Sequence, residues 1–164
     1  MVAAAPPAYW LGFDLGGTKM HAVLFDARLQ PLARRRKKTR GHEGAEAGLD
    51  RICGTLEKLL EDAKVSREQL AGIGVGVPGP VDMETGVILG APNLGWSQVP
   101  LQELLEQRFG CQAVICNDVD AGVFGEYTAG AARGSRTALG VFPGTGIGGG
   151  LVYEGRIFRG RSSS

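Results

Sequence analysis

The chain has 164 residues and a formal net charge of +1, and 43% of its residues are hydrophobic against 21% charged. These values are typical of a single globular unit with an apolar core. So small a net charge gives no electrostatic basis for binding nucleic acid or a membrane surface, and no apolar run approaches the ~18 residues that span a bilayer.

The cysteines and the N-terminal segment favour a cytoplasmic protein. Cys53, Cys111 and Cys116 are odd in number and form no C-x-x-C pair, which is typical of reduced thiols. Residues 1–8 lack the charged and apolar regions of a secretion signal and are predicted to be a disordered leader.

The first part of the chain predicts three consecutive strands over residues 9–14, 19–25 and 31–38, arranged as an antiparallel meander. The third strand carries the basic run Arg-Arg-Arg-Lys-Lys at residues 34–38. Because charges on an edge strand discourage pairing with another edge, we interpret this run as a solvated sheet edge instead of a nucleic-acid site.

Helices and strands alternate further along the chain. Residues 44–63 predict a helix, since apolar residues recur at three- and four-residue steps, and residues 101–109 predict a second, shorter one. Residues 72–77 and 113–116 predict buried strands parallel to the first strand, and a third helix is predicted to run from residue 117 to about 128. The pattern indicates an α/β domain, with a boundary near residues 133–135 before a further hairpin.

Two glycine-rich turns echo each other, reading Phe-Asp-Leu-Gly-Gly-Thr-Lys at residues 13–19 and Gly-Thr-Gly-Ile-Gly-Gly-Gly at residues 144–150. Glycine removes the Cβ that would block a ligand, and inward-turned backbone N–H groups form an anion-binding concavity. Two such turns facing each other would hold a polyphosphate from both sides. The alternative is two ordinary β-hairpins. A dinucleotide-binding fold is excluded, because the second turn leads into a β-type segment and not a helix.

Three loops are candidates for the edge where α/β sheets collect ligands: residues 78–80 after the fourth predicted strand, residues 93–96, and the pair Asn117-Asp118 after the fifth. Asn93 and Asn117 offer donors and acceptors suited to sugar hydroxyls, and Asp118 would accept a proton from an attacking hydroxyl. Capping of the following helix is the alternative for the Asn117-Asp118 pair, and Asp118 would be able to serve both roles.

The histidines and tryptophans give weaker signals. His21 and His42 lack the partner spacing of a metal or nucleophilic site and are interpreted as structural. Trp10 and Trp96 are interpreted as packing residues, although Trp96 would also suit the wall of a sugar pocket.

Taken together, the motifs at residues 12–19, 74–82, 93–96, 117–121 and 144–150 resemble, in order and spacing, those of the repressor/ORF/kinase (ROK) family. The resemblance covers residues 10–160 and is strongest to the bacterial glucokinase branch. It implies an α/β fold of the ribonuclease-H-like (hexokinase/actin-like ATPase) class, with two lobes around a cleft.

The resemblance also implies roles for individual residues. Sugar contacts would come from Gly79, Asn93, Asn117 and Asp118, with Asp118 as the catalytic base on the sugar hydroxyl. The cofactor would be ATP with Mg²⁺, and Asp14 would act on the metal indirectly, through its phosphates. The implied phosphate- and ATP-binding residues are Asp14, Gly16, Gly17, Thr18, Lys19, Gly144, Thr145, Gly146, Gly148 and Gly149.

The chain departs from the family pattern after the second glycine turn. There the family continues into a Glu-x-Gly-His sugar segment, a cysteine-rich zinc motif and a nucleotide-base pocket, whereas this sequence reads Phe-Arg-Gly-Arg-Ser-Ser-Ser over residues 158–164. Its three cysteines do not match that motif, so no zinc site is expected. We expect an N-terminal lobe over residues 9–133, the opening hairpin of an incomplete C-terminal lobe over residues 134–160, and a disordered tail over residues 161–164.

An incomplete second lobe would leave the hairpin without a sheet to complete. Its apolar side chains would then face solvent or another copy in a homo-oligomer, and the chain alone would be poorly active. The residues concerned are Val141, Phe142, Leu151, Val152 and Ile157.

The leading functional hypothesis is ATP-dependent phosphorylation of a hexose, with glucose the expected substrate. A sugar-sensing transcriptional regulator is the first alternative, since repressors share this family's sensor domain. The shortness of the segment before the first predicted strand favours the kinase over a regulator with an N-terminal DNA-binding domain. A non-catalytic sugar-binding remnant is the second alternative.

Overall fold

The computed structural model describes residues 8–143 and 147–159, and the fold below refers to these ranges. The main sheet contains β1 (Tyr9–Leu15), β2 (Lys19–Phe25), β3 (Pro31–Lys38), β4 (Leu70–Val77) and β8 (Ala113–Asn117). A small sheet follows β4 and contains β5 (Val81–Asp82), β6 (Val87–Ala91) and β7 (Trp96–Val99). The helices are α1 (Ala45–Ala63), α2 (Leu101–Phe109) and α3 (Asp118–Ala129), and a last sheet contains β9 (Thr137–Pro143), β10 (Ile147–Tyr153) and β11 (Arg156–Phe158).

The main sheet has the strand order β3-β2-β1-β4-β8. Strands β1, β2 and β3 form the predicted antiparallel meander, while β4 pairs parallel to β1 and β8 parallel to β4. The predicted mixed α/β sheet is therefore confirmed. The basic strand β3 lies at the edge, as the charge pattern indicated.

The core lies on one face of this sheet. The predicted stripe of α1 supplies Ile52, Leu56 and Leu59, which are buried together with the inward residues of β1, β2, β4 and β8. Helix α2 covers β8 on the same side. The opposite face is covered only in part by α3, so that Val114 remains 57% exposed.

The small sheet β5-β6-β7 was not predicted from the sequence. Its strands have two to five residues, too few for a period-two pattern to be recognised. It connects β4 to α2 and carries the loop with Asn93, which is a short 3₁₀ helix over Pro92–Leu94.

The expectation that Val152 would face solvent was wrong. Strands β9, β10 and β11 pack on α3, where Val152 is fully buried with Val123 and Ala138. Val141 and Phe142 are exposed as expected, whereas Leu151 and Ile157 are half-buried. The sequence pattern missed this contact because α3 presents apolar residues on more than one side, toward the main sheet and toward the hairpin.

Over the described ranges, none of the helices combines the length and the apolar character that crossing a bilayer requires. The predicted leader and tail fall outside these ranges, apart from Ala8, and so do Gly144, Thr145 and Gly146 of the second glycine turn.

Candidate active site

The candidate site lies where the carboxyl ends of β1, β4 and β8 meet. In the parallel pairings, Asp14 lies beside Gly76, and Val77 lies beside Asn117. The end of β1, the loop after β4 and the start of α3 are therefore neighbours, as expected for a ligand site in an α/β sheet.

The first glycine turn is held close to the main sheet and to Asn93. A Cβ on Gly16 would lie 2.6 Å from the backbone oxygen of Lys19, so only glycine fits there. Thr39, just after β3, donates from Oγ1 to the Gly16 oxygen at 2.6 Å and from its N–H to the Thr18 oxygen at 2.9 Å. A Cβ on Gly17 would lie 3.5 Å from the Asn93 Cβ, so the structure brings these two predicted site residues together.

Asn93 is held at this position by its buried neighbours. Leu94 and Trp96 lie in the core, with Leu94 against Gly41 and the Trp96 ring against Gly48 of α1. Asn93 itself is exposed. The Asn-Leu-Gly-Trp segment thus anchors by its apolar residues and presents its amide to solvent near the glycine turn.

Asn117 is the residue that caps α3. Its Oδ1 accepts from the N–H of Val119 at 2.9 Å and of Asp120 at 3.3 Å, while its Nδ2 donates to the Gly79 oxygen at 3.2 Å. One side chain therefore fixes both the helix start and the Pro-Gly-Pro loop. Gly79 has φ +90°, and a Cβ there would overlap the Gly90 carbonyl, which explains the need for glycine.

Because Asn117 takes the capping position, Asp118 is the first residue of α3 and not its cap. Its Oδ1 accepts from the Val119 N–H at 2.9 Å. A Cβ on Gly76 would lie 3.4 Å from the Asp118 Cα, so the glycine in β4 permits this close approach.

Asp14 and Asp118 line one cavity of about 690 Å³ on the partly covered face of the main sheet. Desolvation and the neighbouring Asp118 charge raise the pKa of Asp14, while His21 lowers it. Two carboxylates with this mutual repulsion form a site that a cation would stabilise. Burial raises the pKa of Cys116, in the same cavity, to about 11, so its thiol is no nucleophile at neutral pH.

A second cavity of about 340 Å³ lies on the other side of the start of α3. Gly79 and Asn117 line it together with Gly148 and Gly149 of β10, so four more predicted site residues share one space. Gly148 packs on Val119: a Cβ there would lie 2.6 Å from the Val119 Cγ2. Met83 lines both cavities, which are therefore adjacent.

Lys19 and Thr18 line neither cavity, and neither do Gly16, Gly17 and Asn93. Thr18 and Lys19 are exposed, and Lys19 lies opposite Lys38 in the β2–β3 pairing. Their predicted phosphate contacts stay predictions.

Asp14 and Asp118 are the two carboxylates that line the larger cavity. The described ranges hold no group of three or more His, Cys, Asp or Glu that would enclose a metal ion. Magnesium commonly keeps several waters and binds one or two carboxylates plus substrate phosphates. Asp14, with Asp118 nearby, supplies that kind of donor set.

Three residues of the site were missed or undervalued in the sequence. His21 lies opposite Asp14 in the β1–β2 pairing and lines the larger cavity. Asp120 and Arg159 form an ion pair at 3.5 Å beside Gly148 and Gly149. The hairpin predicted around the first glycine turn would have placed His21 opposite Asp14. Nothing in the sequence relates Asp120 to Arg159.

The architecture is that of the actin-like ATPase fold found in sugar kinases. It matches a crystal structure of a ROK family glucokinase from Streptomyces griseus in complex with glucose and AMPPNP, with a TM-score of 0.80 and 34% identity over 93% of this chain and 47% of that one. Residues 10–163 match the ROK family, and the chain belongs to it.

Curated relatives of the chain include both enzymes and regulators. A glucokinase from Halalkalibacterium halodurans is 32% identical over 93% of this chain and 46% of its own length. A xylose repressor from Caldicellulosiruptor bescii is 31% identical over 92% of this chain and 38% of its own. The chain spans about half the length, or less, of the relatives it matches.

Proposed function

We propose that the chain is part of an ATP-dependent hexose kinase, with glucose as the expected substrate. The observation that carries the proposal is the position of Asp118, at the start of α3, in one cavity with Asp14. The glucokinase relatives support a sugar as the acceptor.

Asp118 is suited to the role of general base. One of its oxygens accepts the Val119 N–H, which orients the carboxylate, and the other is left to take the proton of a sugar hydroxyl. Asn93, Gly79 and Asn117 would orient the sugar beside it.

Asp14 and the glycine residues would position the phosphates. A Cβ would clash with the Lys19 oxygen at Gly16 and with Val119 at Gly148, so each turn requires glycine at one position. The backbone N–H groups of such turns would face the phosphates. Magnesium bound through the phosphates near Asp14 would neutralise charge on the transferred group. In such reactions the protein acts by positioning and electrostatic stabilisation.

The test combines turnover and sugar binding. Phosphorylated sugar is measured with ATP, Mg²⁺ and a panel of hexoses, and hexose binding is measured by titration calorimetry. We expect product with at least one hexose of the panel, since glucokinases are among the relatives. Asp118→Asn should lower turnover about 10²- to 10⁴-fold and leave sugar affinity within a few-fold.

Asp50→Asn, an exposed carboxylate on α1, is the matched control and should change neither quantity. Absence of both hexose binding and product with the wild-type chain would refute the proposal. Turnover unaffected by Asp118→Asn would remove Asp118 from the chemistry.

A sugar-binding regulator is the second candidate, because a xylose repressor is among the relatives. It would bind a pentose or hexose at the same loops without phosphorylating it. Sugar binding without product, and with unchanged affinity on adding ATP, would favour this candidate.

A further inference from the structure

A positively charged side chain, that of Arg159, lines the smaller cavity, and the proposed function assigns no role to it. The cavity is enclosed by the loop after β4, the start of α3 and the glycine residues of β10, and Arg159 lies at its side, just after β11. Arg159 is the only cationic residue among those that line this cavity in the described ranges.

The guanidinium of Arg159 is held loosely. Its side chain is only 25% exposed, and its Nη2 lies 3.5 Å from Oδ2 of Asp120. Among the described residues it donates no hydrogen bond of good geometry, whereas Arg67 and Arg108 donate to Glu57 at 2.7 Å. A guanidinium has five N–H donors, and partly buried donors without acceptors favour binding of an anion.

Asp120 is held through its backbone at the start of α3. Its backbone N–H is bound by Asn117, its side chain is 20% exposed, and its Oδ1 lies 3.3 Å from the position of a Cβ on Gly150. Desolvation raises the pKa of Asp120, Arg159 lowers it and Asp118 raises it. The carboxylate thus occupies a poorly solvated position where it competes for the guanidinium.

We propose that Arg159 is an anion-binding residue of the smaller cavity, paired with Asp120 until a phosphate group takes the place of the carboxylate. The planar guanidinium binds phosphate and carboxylate through the same pair of parallel N–H donors. Gly148 and Gly149 border the space that the phosphate would enter. That the phosphate belongs to a kinase substrate or product rests on the proposed function, whereas the anion site itself does not.

The test is a titration of the 164-residue chain and its variants with inorganic phosphate, followed by calorimetry. In the wild type the NMR signal of the Arg159 Nε–H should also shift on binding. Arg159→Met should weaken binding at least about tenfold, as expected for loss of hydrogen bonds to a charged group. Arg159→Lys should restore part of it. Asp120→Asn should tighten binding roughly two- to fivefold, because it removes a competing charge.

The Asp120→Asn result separates the proposal from a purely structural ion pair. If the ion pair only held the hairpin on α3, neutralising Asp120 would abolish phosphate binding or leave the affinity for phosphate unchanged. Either result would overturn the proposal. An affinity for phosphate that is unchanged in Arg159→Met would also overturn the proposal. Arg156→Met, on β11 and exposed, is the matched control and should bind phosphate like the wild type.

Two further ligands identify the source of the phosphate. If binding of glucose 6-phosphate depends on Arg159, the site accepts the phosphate of the product. If binding of ATP depends on Arg159, the site accepts a phosphate of the donor. Each result supports the site. Glucose itself should bind the Arg159→Met variant normally. If phosphate binding requires Arg159 but the chain neither binds a hexose nor forms product, the kinase proposal fails and the anion site stands.

Discussion

The double role of Asn117 gives the sharpest prediction about how the site is held together. Replacing it by alanine removes the cap of α3, worth about 1 kcal/mol, and the hydrogen bond to the Gly79 oxygen, worth about 1 kcal/mol. Together the variant should lose about 2 kcal/mol of unfolding free energy. For a chain of this size that corresponds to a fall in Tm of roughly 4–8 °C.

Asn117→Asp separates the two contributions. The aspartate keeps an oxygen for the Val119 and Asp120 N–H groups but has no donor for Gly79. Its stability should therefore lie between those of the wild type and the alanine variant. Hexose affinity should fall in both variants, because both release the Gly79 loop.

Thermal and urea unfolding followed by circular dichroism measure the stability, and hydrogen exchange over residues 78–81 measures the loop. An alanine variant within about 0.5 kcal/mol of the wild type would refute the energetic argument. Equal destabilisation by alanine and aspartate would show that the cap contributes nothing.

Three further changes test other parts of the structure. Gly48→Ala should destabilise the chain by roughly 1–3 kcal/mol in urea unfolding, because a Cβ there would overlap the Trp96 ring. The cost of this overlap should outweigh the better helix propensity of alanine. A neutral or stabilising result would contradict that packing. Asp14→Asn should remove a pH dependence of stability. Because the pKa of Asp14 is raised, the folded chain keeps a proton that the unfolded chain loses, so the unfolding free energy of the wild type falls as the pH rises from the ordinary carboxyl range through the raised pKa. Unfolding measured across that range should show no such fall for the variant. Val152→Ala should speed hydrogen exchange in β9–β11 while exchange in β1 and β4 stays unchanged, since the described residues that bury Val152 belong to the hairpin, to α3 and to the turn after α3. Uniform acceleration would show that the hairpin and the main sheet unfold together.

Local patterns were enough to predict the main sheet. The strand and turn segments in residues 9–38 and the stripe of α1 depend on residues only a few positions apart in sequence. The bounds of these strands and of the helix agree with the structure within one or two residues. The small sheet was not predictable in this way, since Val81 and Ile88 are paired by a turn and not by a pattern. The burial of Val152 depended on a contact with α3 that no local signal carries.

The candidate site follows the same division. The glycine turn, Asn93, Asn117 and Asp118 were recognisable because each motif has its own residue types and spacing. Which of Asn117 and Asp118 caps α3 was open in the sequence, and the structure decides it through the distances to Val119 and Asp120. The pair Asp120–Arg159 joins residues 39 positions apart through the fold alone.

Helix α3 has a mechanical consequence for the molecule, because it contacts both the main sheet and the hairpin. Its first turn carries Asp118, and its next turn bears Val123 against Val152. A ligand that changed the packing of the hairpin on α3 would therefore also act on the helix that carries the Asp118 carboxylate. Occupancy on the hairpin side and occupancy beside Asp118 would then be thermodynamically coupled, each changing the affinity of the other by the same factor.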